Sequence, residues 1–476
     1  VRSPDSFINV VMESLTLSQI AEFAGGSISA GDPRTTVSRV STDSRTLQGG
    51  DLFVPLRGAN FDGHKFVAQA AERGATGAMV EEKWKGDAPP GFALIRVADT
   101  LAGYQSLAAN YRASLSLKVI AITGSNGKTS TKDFVAAALS KKFRVTKTEG
   151  NFNNHVGLPQ TMLAAGREDQ IAVWEIGMNH PGEIAPLAKL AAPDVAIITN
   201  IGIAHIEFMG SREAIAEEKG ALAEAVAPGG VVILNADDPF SESIAGRSRA
   251  RVVLAGVENG SVRATDISQN STGSEFTILE GAHRCRAQLP VPGIHMVQNA
   301  MLAVAAGRVF GLSLEECAVG LASTPLTKAR LQIRKIDGIQ FIDDSYNANP
   351  DSMKAALRTL IELDADGRRI AVLGEMGELG EESERGHREV GECAAMLRVD
   401  ELIAVGSAGA KTIARGAEKA GLEKSRAVSS AEEAAKILGK NAAAGDLILI
   451  KGSRAARMER VLEAFVNRPR AEEVAP

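Results

Sequence analysis

A six-residue loop, GSNGKT at 124–129, carries the strongest chemical signal in the sequence. It follows the β-branched run VIAIT at 119–123 and precedes the Ala-rich segment STKDFVAAAL at 130–139. A strand, a glycine turn and a helix in this order expose backbone N–H groups at a helix N-terminus, where a polyphosphate is favoured. Lys128 adds a positive charge for the β- and γ-phosphates, and Thr129 adds a hydroxyl for Mg²⁺.

The loop is shorter than the common P-loop, because two residues instead of four separate its glycines. A plain glycine turn with a solvated lysine is the alternative interpretation. We favour ATP binding, since the glycines, the lysine and the hydroxyl all occur together at a strand end. The residues predicted to contact ATP here are Gly124, Ser125, Asn126, Gly127, Lys128, Thr129 and Ser130.

Three further side chains are candidates for holding Mg²⁺ or the reacting phosphate. Glu175 ends the apolar run IAVWEIG, and a carboxylate one strand away from the phosphate loop suits a hard cation. A capping or salt-bridged role is equally compatible with its position. His205 follows the run VAIITNIG, and Lys219 lies about two turns into a helix that Ser211 can cap. Taken alone, His205 fits a structural role and Lys219 an exposed lysine.

The elements that must position these residues alternate between β-rich and Ala- or Leu-rich stretches, which predicts parallel α/β architecture. With 476 residues, the chain exceeds one ordinary hydrophobic core. We predict a small α/β domain at 12–113, a central ATP-binding domain at 114–325 and a third α/β domain at 326–476. The segment MESLTLSQIAEFAGG, which Met12 opens, predicts the first helix, and residues 1–11 are placed outside the fold.

Composition excludes several functions. A formal net charge of -5, with basic residues scattered along the chain, disfavours nucleic-acid binding. No apolar run reaches the roughly 18 residues of a membrane helix, and no export signal begins the sequence. Three distant cysteines suggest neither a disulfide framework nor a zinc site, so we expect a cytoplasmic protein without membrane partners.

A dinucleotide site at the acidic segment LGEMGELGEE, 373–382, is rejected because its charge would repel pyrophosphate.

The sequence resembles the Mur ligase family through at least seven motifs in order. They include the short phosphate loop and six further strings: STDSR at 41–45, TEGNFNNHVGLPQTM at 148–162, GIHMVQNAM at 293–301, FIDDSYNANPDSM at 341–353, LGEMGELG at 373–380 and KGSRAARME at 451–459. The resemblance implies a central, mostly parallel P-loop-type sheet between a small N-terminal α/β domain and a Rossmann-like C-terminal domain.

It also implies site residues. UDP-sugar contacts would come from Ser44, Arg45, Thr148, Asn151, Asn153 and Asn154. Asn299, at the start of an Ala-rich helix, would contact adenine; helix capping is the alternative. Arg330, Asp344, Tyr346 and Asn347 would hold ribose and cover the base, ahead of a helix capped by Asp351 or Ser352. Two Mg²⁺ ions are implied, one on Thr129 and Glu175 and one on His205 and a carbamylated Lys219.

The activity implied is ATP-dependent amide ligation through an acyl phosphate, which joins D-alanyl-D-alanine to UDP-N-acetylmuramoyl-tripeptide in peptidoglycan precursor synthesis. DSYNANP at 344–350 points to this branch, and no Asn-Pro-Arg motif typical of the tripeptide-forming branch occurs. We expect a monomer. The alternatives are a folylpolyglutamate synthetase, a P-loop ATPase or small-molecule kinase, and a nucleotide-sensing scaffold without catalysis.

Overall fold

The computed structural model describes residues 11–58, 60–87, 89–325 and 327–468. The elements of the N-terminal part are, in chain order, β1 Val11–Thr16, α1 Leu17–Ala24, β2 Ser27–Ala30, β3 Thr36–Ser41, β4 Leu52–Phe53, β5 Arg57–Gly58, β6 Phe61–Asp62, α2 Val67–Glu72, β7 Gly77–Glu81, β8 Ala93–Val97 and α3 Thr100–Ala113. A mixed sheet has the order β1-β3-β4-β7-β8-β2, and β5 pairs with β6 separately.

The central part holds the longest sheet. Its elements are β9 Lys118–Thr123, α4 Lys128–Leu139, β10 Val145–Lys147, α5 Gly157–Leu163, β11 Ile171–Glu175, α6 Ile184–Ala191, β12 Val195–Ile198, α7 Ile206–Met209, α8 Arg212–Glu224, β13 Val231–Asn235, α9 Ser241–Ala245, β14 Arg251–Gly256, β15 Val262–Asn270, β16 Gly273–Glu280, β17 His283–Leu289, α10 Ile294–Val309 and α11 Leu314–Ala322. The strand order is β10-β11-β9-β12-β13-β14-β15-β16-β17, parallel from β10 to β15.

The C-terminal part forms a third sheet of order β18-β19-β23-β20-β21-β22, in which only the β18–β19 pair is antiparallel. Its elements are β18 Gln332–Ile336, β19 Ile339–Asp344, α12 Pro350–Glu362, β20 Arg369–Gly374, α13 Ser383–Met396, β21 Glu401–Val405, α14 Ala408–Lys419, β22 Ser425–Val428, α15 Ala431–Asn441, β23 Leu447–Lys451 and α16 Glu459–Val466. Short 3₁₀ turns lie at Gly63–Phe66, Gly380–Glu382 and Arg454–Ala456.

Parallel α/β architecture is confirmed, and its physical basis is visible in the central strands. Strands β11, β12 and β13 are buried over their whole length, so their sequences are continuous apolar runs instead of alternating ones. Because β9, β11, β12 and β13 run parallel, their carboxyl ends lie at one edge of the sheet. That edge holds the candidate site. Among the described residues, no helix is long and apolar enough to cross a membrane.

Two predictions about the start of the chain were wrong. Met12 does not open a helix, since Val11–Thr16 is a strand that pairs antiparallel with β3. Helix α1 begins at Leu17, where Thr16 and Gln19 form a reciprocal capping box. Val11 therefore belongs to the fold, although it was placed outside it. Residues 1–10 and 469–476 lie outside the described residues.

Helix α8 begins as predicted, with the Ser211 hydroxyl accepting a hydrogen bond from the Ala214 N–H group. Helix α12 does not: its cap is Asn349, whose side chain accepts from the Ser352 N–H group. Pro350 occupies the first turn, where its missing N–H group costs nothing. The predicted caps, Asp351 and Ser352, therefore lie inside the helix.

A carboxylate from the acidic segment after β20 binds the N-terminus of helix α14. The Glu375 carboxylate accepts hydrogen bonds from the N–H groups of Ser407 (2.9 Å), Gly409 (2.7 Å) and Ala410 (3.3 Å) at the start of α14. Burial acts to raise the pKa of Glu375, but these N–H groups outweigh it and the pKa lies below its usual value. A carboxylate fixed at this position agrees with the rejection of a dinucleotide site.

We expect Glu375→Gln to lower the free energy of unfolding at pH 7 by about 1–2 kcal/mol, because a charged acceptor is lost at a helix N-terminus. The depressed pKa means that the carboxylate stabilises the fold above the unfolded-state pKa, and that this contribution is lost as the pH falls through the folded-state pKa. Urea denaturation at pH 7 and at lower pH measures the difference. The exposed Glu381→Gln is the control, and a gap between the two variants that widens with acid would contradict the account.

Candidate active site

The phosphate loop joins β9 to α4, and its two glycines are required by geometry. Gly124 has a φ of 147°, and an added Cβ would lie 1.8 Å from Thr199 Oγ1. Gly127, the N-cap of α4, has a φ of 79°, and its Cβ would lie 2.5 Å from Asn299 Oδ1. Residues 125–130 line a cleft of about 840 Å³. The loop is thus built for close approach of its backbone to neighbours and ligand.

Hydrogen bonds connect the loop to the segment that follows β12. Ser125 Oγ donates to the Gly202 carbonyl at 3.2 Å, and the Asn126 N–H group donates to Asn200 Oδ1 at 3.0 Å. These contacts hold the short loop in place against the rest of the central part. Ser130 is buried behind it, in the first turn of α4.

The Lys128 ammonium donates to the Gly124 carbonyl at 2.8 Å, so it is held over the loop. Burial lowers the pKa of Lys128, and the neighbouring Glu175 carboxylate counteracts part of that effect, while Arg330 adds to it. An incoming phosphate would supply the negative charge that this partly desolvated ammonium lacks.

Glu175 lies beside the loop, as predicted for the neighbouring strand. Its backbone pairs with Ile122 of β9, and its carboxylate accepts from Thr129 Oγ1 at 2.9 Å and from Asn153 Nδ2 at 2.7 Å. It caps no helix and makes no salt bridge among the described residues. Thr129 and Glu175 together present two oxygen-bearing groups, the ligand type that Mg²⁺ prefers.

The loop after β10 contains four residues that were predicted to contact the UDP-sugar, and three of them line the cleft. Thr148 is fully buried, and its hydroxyl accepts from the Glu175 N–H group at 2.9 Å, so it positions Glu175 and does not line the cleft. Asn153 also supports Glu175. The Asn154 side chain accepts from the N–H groups of Val156 and Gly157 as a local turn. Asn151, Asn153 and Asn154 nevertheless line the cleft.

Ser44 and Arg45 lie in the N-terminal part and do not line the cleft. Arg45 forms an ion pair with Asp43 at 2.6 Å, and 71% of its side chain is exposed. The structure therefore does not bring these two residues together with the phosphate loop.

Asn299 lies inside α10, five residues after its first residue Ile294, so helix capping does not explain it. The residue is buried, and its side-chain amide lies against Gly127 of the phosphate loop. One turn earlier, His295 also lines the cleft, and burial lowers its pKa to about 4.

The segment after α11 reaches back to the phosphate loop. Arg330 Nη2 donates to Thr129 Oγ1 at 3.3 Å, and the guanidinium carbon lies 4.3 Å from the centre of the Tyr346 ring. The guanidinium therefore connects the third sheet to the loop while stacking on an aromatic face. Both residues line the cleft, as predicted for a base or ribose contact.

Asp344 and Asn347 are held by Lys451, which sequence reasoning missed. Lys451 Nζ donates to Asp344 Oδ2 at 2.5 Å and to the Asn347 carbonyl at 3.0 Å. The ammonium is buried at the end of β23. A lysine that ends a buried parallel strand was the available signal, since such strand ends supply α/β sites.

His205 pairs with a residue from the third sheet. Its Nδ1 lies 2.5 Å from Glu378 Oε2, and this contact lowers the pKa of the Glu378 carboxyl. Both side chains line the cleft. No local sequence pattern indicates this partner, which is 173 positions away.

Lys219 is not the exposed lysine of the simplest interpretation, because only 1% of it is accessible. Burial, followed by the charge of Lys128, lowers its pKa well below the usual value. Among the described residues its ammonium has no hydrogen-bond partner. Burial therefore shifts the protonation equilibrium of Lys219 towards the neutral amine.

Other residues that line the cleft were also missed. They follow the ends of β12 and β13 or begin α12: Asn200, Asn235, Asp237, Asp238, Asn349 and Asp351. Within the described residues, no group of three His, Cys, Asp or Glu side chains could hold a metal on its own. A cation here would therefore take part of its coordination from a ligand's phosphates and from water, as Mg²⁺ does.

Comparisons with known proteins agree with this geometry. The Mur ligase middle domain matches residues 122–307, the Mur ligase glutamate ligase domain matches 329–454, and the Mur ligase family catalytic domain matches 36–98. The chain is 41% identical to a UDP-N-acetylmuramoyl-tripeptide–D-alanyl-D-alanine ligase of Bacillus subtilis over 95% of this chain and 99% of the relative. An Escherichia coli ligase of the same name is 36% identical, with 95% and 99% covered.

Solved structures of Mur ligases also resemble this chain. A crystal structure of MurF from Acinetobacter baumannii superposes with a TM-score of 0.88 at 34% identity, covering 96% of this chain and 100% of that one. MurF ligase from Thermotoga maritima in complex with ADP gives a TM-score of 0.81 at 30% identity, covering 90% and 96%. The three-domain α/β architecture is therefore shown, and the chain belongs to the Mur ligase family.

Proposed function

We propose that this chain is an ATP-dependent amide ligase that joins D-alanyl-D-alanine to UDP-N-acetylmuramoyl-tripeptide. The observation that carries the proposal is the convergence on one cleft of the phosphate loop, Glu175 and the third-sheet residues Arg330 and Tyr346. The names of the relatives supply the substrates. The product is UDP-N-acetylmuramoyl-pentapeptide, with ADP and phosphate, which assigns the protein to peptidoglycan precursor synthesis in the cytoplasm.

The reaction has two steps. The terminal carboxylate of the tripeptide attacks the γ-phosphorus, so an O–P bond forms, the bond to the β–γ bridging oxygen breaks, and ADP leaves. The amine of D-alanyl-D-alanine then attacks the acyl carbon, loses a proton, and phosphate departs with the carboxylate oxygen. Lys128 and the N–H groups of residues 127–130 stabilise the charge on the transferring phosphate. Docking of the third domain excludes water from the acyl phosphate.

Mg²⁺ fits the residues present. Thr129 and Glu175, 2.9 Å apart, would hold one ion, and His205 with a carbamylated Lys219 would hold a second. When bound, the ions offset the negative charge of ATP and the attacking carboxylate. Asn153 and Thr148 keep Glu175 in place.

Carbamylation of Lys219 makes a specific prediction. A neutral, buried amine can attack CO₂, form an N–C bond and release one proton, and the carbamate would then replace an unpartnered group by a metal ligand. We expect a ¹³C NMR carbamate signal after incubation with ¹³C-bicarbonate, and its loss in Lys219→Met. The same variant is expected to lose about 10²-fold in ligase activity. A wild-type protein that is fully active without the signal would disprove the modification.

The UDP-sugar would contact Asn151, Asn153 and Asn154, with Ser44 and Arg45 closing on it from the N-terminal part. Adenine would contact Asn299, and ribose and base would contact Asp344, Tyr346 and Asn347. We propose domain boundaries near residues 113 and 325, which this division of contacts supports. We propose that the enzyme acts as a monomer, since each of these groups comes from one chain.

Phosphate release from ATP tests the proposal when it is measured with each UDP-muramoyl-tripeptide, lysine or meso-diaminopimelate at the third position. Release is expected to require both a tripeptide and D-alanyl-D-alanine, and mass spectrometry should find the pentapeptide. Full release without the dipeptide would instead indicate an ATPase. Absence of release with either tripeptide would exclude the proposed substrate.

A further inference from the structure

The contact between His205 and Glu378 connects the central and third sheets at the cleft. His205 follows β12 and begins α7, whereas Glu378 lies between β20 and α13. The two side chains meet at 2.5 Å, and the Glu378 carbonyl also accepts from the Glu207 N–H group at 3.3 Å. One loop of the third sheet thus touches both the ring and the backbone of the α7 segment.

Both residues have a backbone conformation that L-amino acids rarely adopt. The φ angle is 63° for His205 and 59° for Glu378, and neither residue is glycine. Such conformations persist where surrounding contacts hold them, and they concentrate at functional sites. Here the two side chains contact each other, and the carbonyls of both residues also accept backbone hydrogen bonds from the α7 segment.

The hydrogen bond also decides which ring nitrogen of His205 is available. Nδ1 faces the carboxylate, which can only accept, so Nδ1 carries the proton. Nε2 has no hydrogen-bond partner among the described residues, so in the neutral ring its lone pair is available to a ligand. A ring fixed in this way has the tautomer that a metal-binding histidine needs.

Neighbouring contacts cross the same boundary. Asn349 Nδ2 donates to Asn126 Oδ1 of the phosphate loop at 2.8 Å, and Asp351 accepts from the Ile203 N–H group at 3.1 Å. The third domain therefore meets the central one at the phosphate loop and at the segment before His205. Docking and the state of His205 are geometrically linked.

We propose that Glu378 is a positioning residue, which fixes His205 in the Nδ1–H tautomer only when the third domain is docked. The inference rests on the proposed function, because it assigns His205 to the second Mg²⁺ of that site. It adds a dependence of the central-domain site on a carboxylate from another domain. The enzyme would then avoid assembling the complete site while the cleft is open to water.

A graded series of variants tests the proposal. Glu378→Met removes the acceptor at similar length, whereas Glu378→Gln keeps a carbonyl that can accept the same hydrogen bond. Glu381→Met, three positions along and exposed, is the matched control. We expect kcat to fall about 10–100-fold in Glu378→Met, less in Glu378→Gln and not in Glu381→Met, with little change in the KM for ATP.

The second readout does not depend on catalysis. ¹⁵N NMR of the histidine ring nitrogens, assigned with His205→Asn and recorded with ADP present, reports the tautomer of His205. Wild type, Glu378→Gln and Glu381→Met should show a protonated Nδ1, and Glu378→Met should lose this preference. Equal thermal midpoints of Glu378→Met and Glu381→Met would show that the fold is intact. If the midpoints differ, the wild-type tautomer decides, since a protonated Nδ1 supports the proposal and a protonated Nε2 overturns it.

Two results would overturn the proposal: an Nε2–H tautomer in the wild type, or the same kcat and tautomer in Glu378→Met as in Glu381→Met. Failure of the proposed function has a different signature. In that case the wild type would make no pentapeptide from any tripeptide, whereas the ring tautomer would still be measurable.

Discussion

Lys128→Met is expected to reduce ATP-dependent ligation about 10³-fold, because the variant loses the positive charge held over the phosphate loop. The ammonium bonds to Gly124 and has no carboxylate hydrogen-bonded to it among the described residues. Glu175 offsets only part of its charge, so the phosphates supply the remaining counter-charge. Methionine preserves the length and apolar packing of the side chain, so the loss should appear in kcat/KM and not in thermal stability.

Lys141→Met is the control for this prediction, since Lys141 is exposed just beyond the end of α4. Steady-state phosphate release with both substrates present compares the two variants. Turnover by Lys128→Met within a few-fold of the control would remove the phosphate loop from the chemistry.

Glu175→Gln is expected to cost about 10²-fold in kcat/KM. The substitution removes a negative charge and turns one oxygen into an NH₂ group. Because the Glu175 oxygens accept from both Thr129 and Asn153, the new NH₂ group either faces the Asn153 donor or makes the Thr129 hydroxyl accept instead of donate. The defect should therefore combine weaker Mg²⁺ use with a changed contact to Asn153 or Thr129.

A titration of activity against Mg²⁺ concentration measures this effect. Half-maximal activity should require more Mg²⁺ in Glu175→Gln than in wild type, while the exposed Glu149→Gln should behave like wild type. An unchanged Mg²⁺ requirement would assign Glu175 a purely structural role.

The sequence could predict features whose cause is local. The phosphate loop depends on consecutive residues, because a strand, two glycines and a helix start fix its shape. Strands β11, β12 and β13 were recognisable because burial on both faces demands continuous apolar residues. Their parallel order then placed Glu175 beside Thr129, as expected from the rule for strand ends.

Partners that are distant in the chain could not be predicted in this way. Glu378 meets His205 across 173 positions, and Lys451 meets Asp344 across 107, and no local pattern specifies either pair. Thr148 shows the same limitation, since its motif suggested a substrate contact while packing directs its hydroxyl to Glu175. Several adjacent polar residues could cap α12, and the local pattern did not show that Asn349 is the cap.

Burial was a further property that composition alone did not reveal. Lys219 occupies a helix that also carries one arginine and four glutamates, so its sequence context suggests solvent. Only the packing of α8 against the central sheet makes it inaccessible. The resemblance to Mur ligases identified this lysine, and its burial now gives a physical reason for the proposed modification.

Oxygen transfer tests the central claim most directly. UDP-muramoyl-tripeptide labelled with ¹⁸O in its terminal carboxylate is incubated with the enzyme, ATP and D-alanyl-D-alanine, and the released inorganic phosphate is analysed by mass spectrometry. An acyl-phosphate ligase must transfer one ¹⁸O atom from a doubly labelled carboxylate to each phosphate. Pentapeptide formation with unlabelled phosphate would contradict the account.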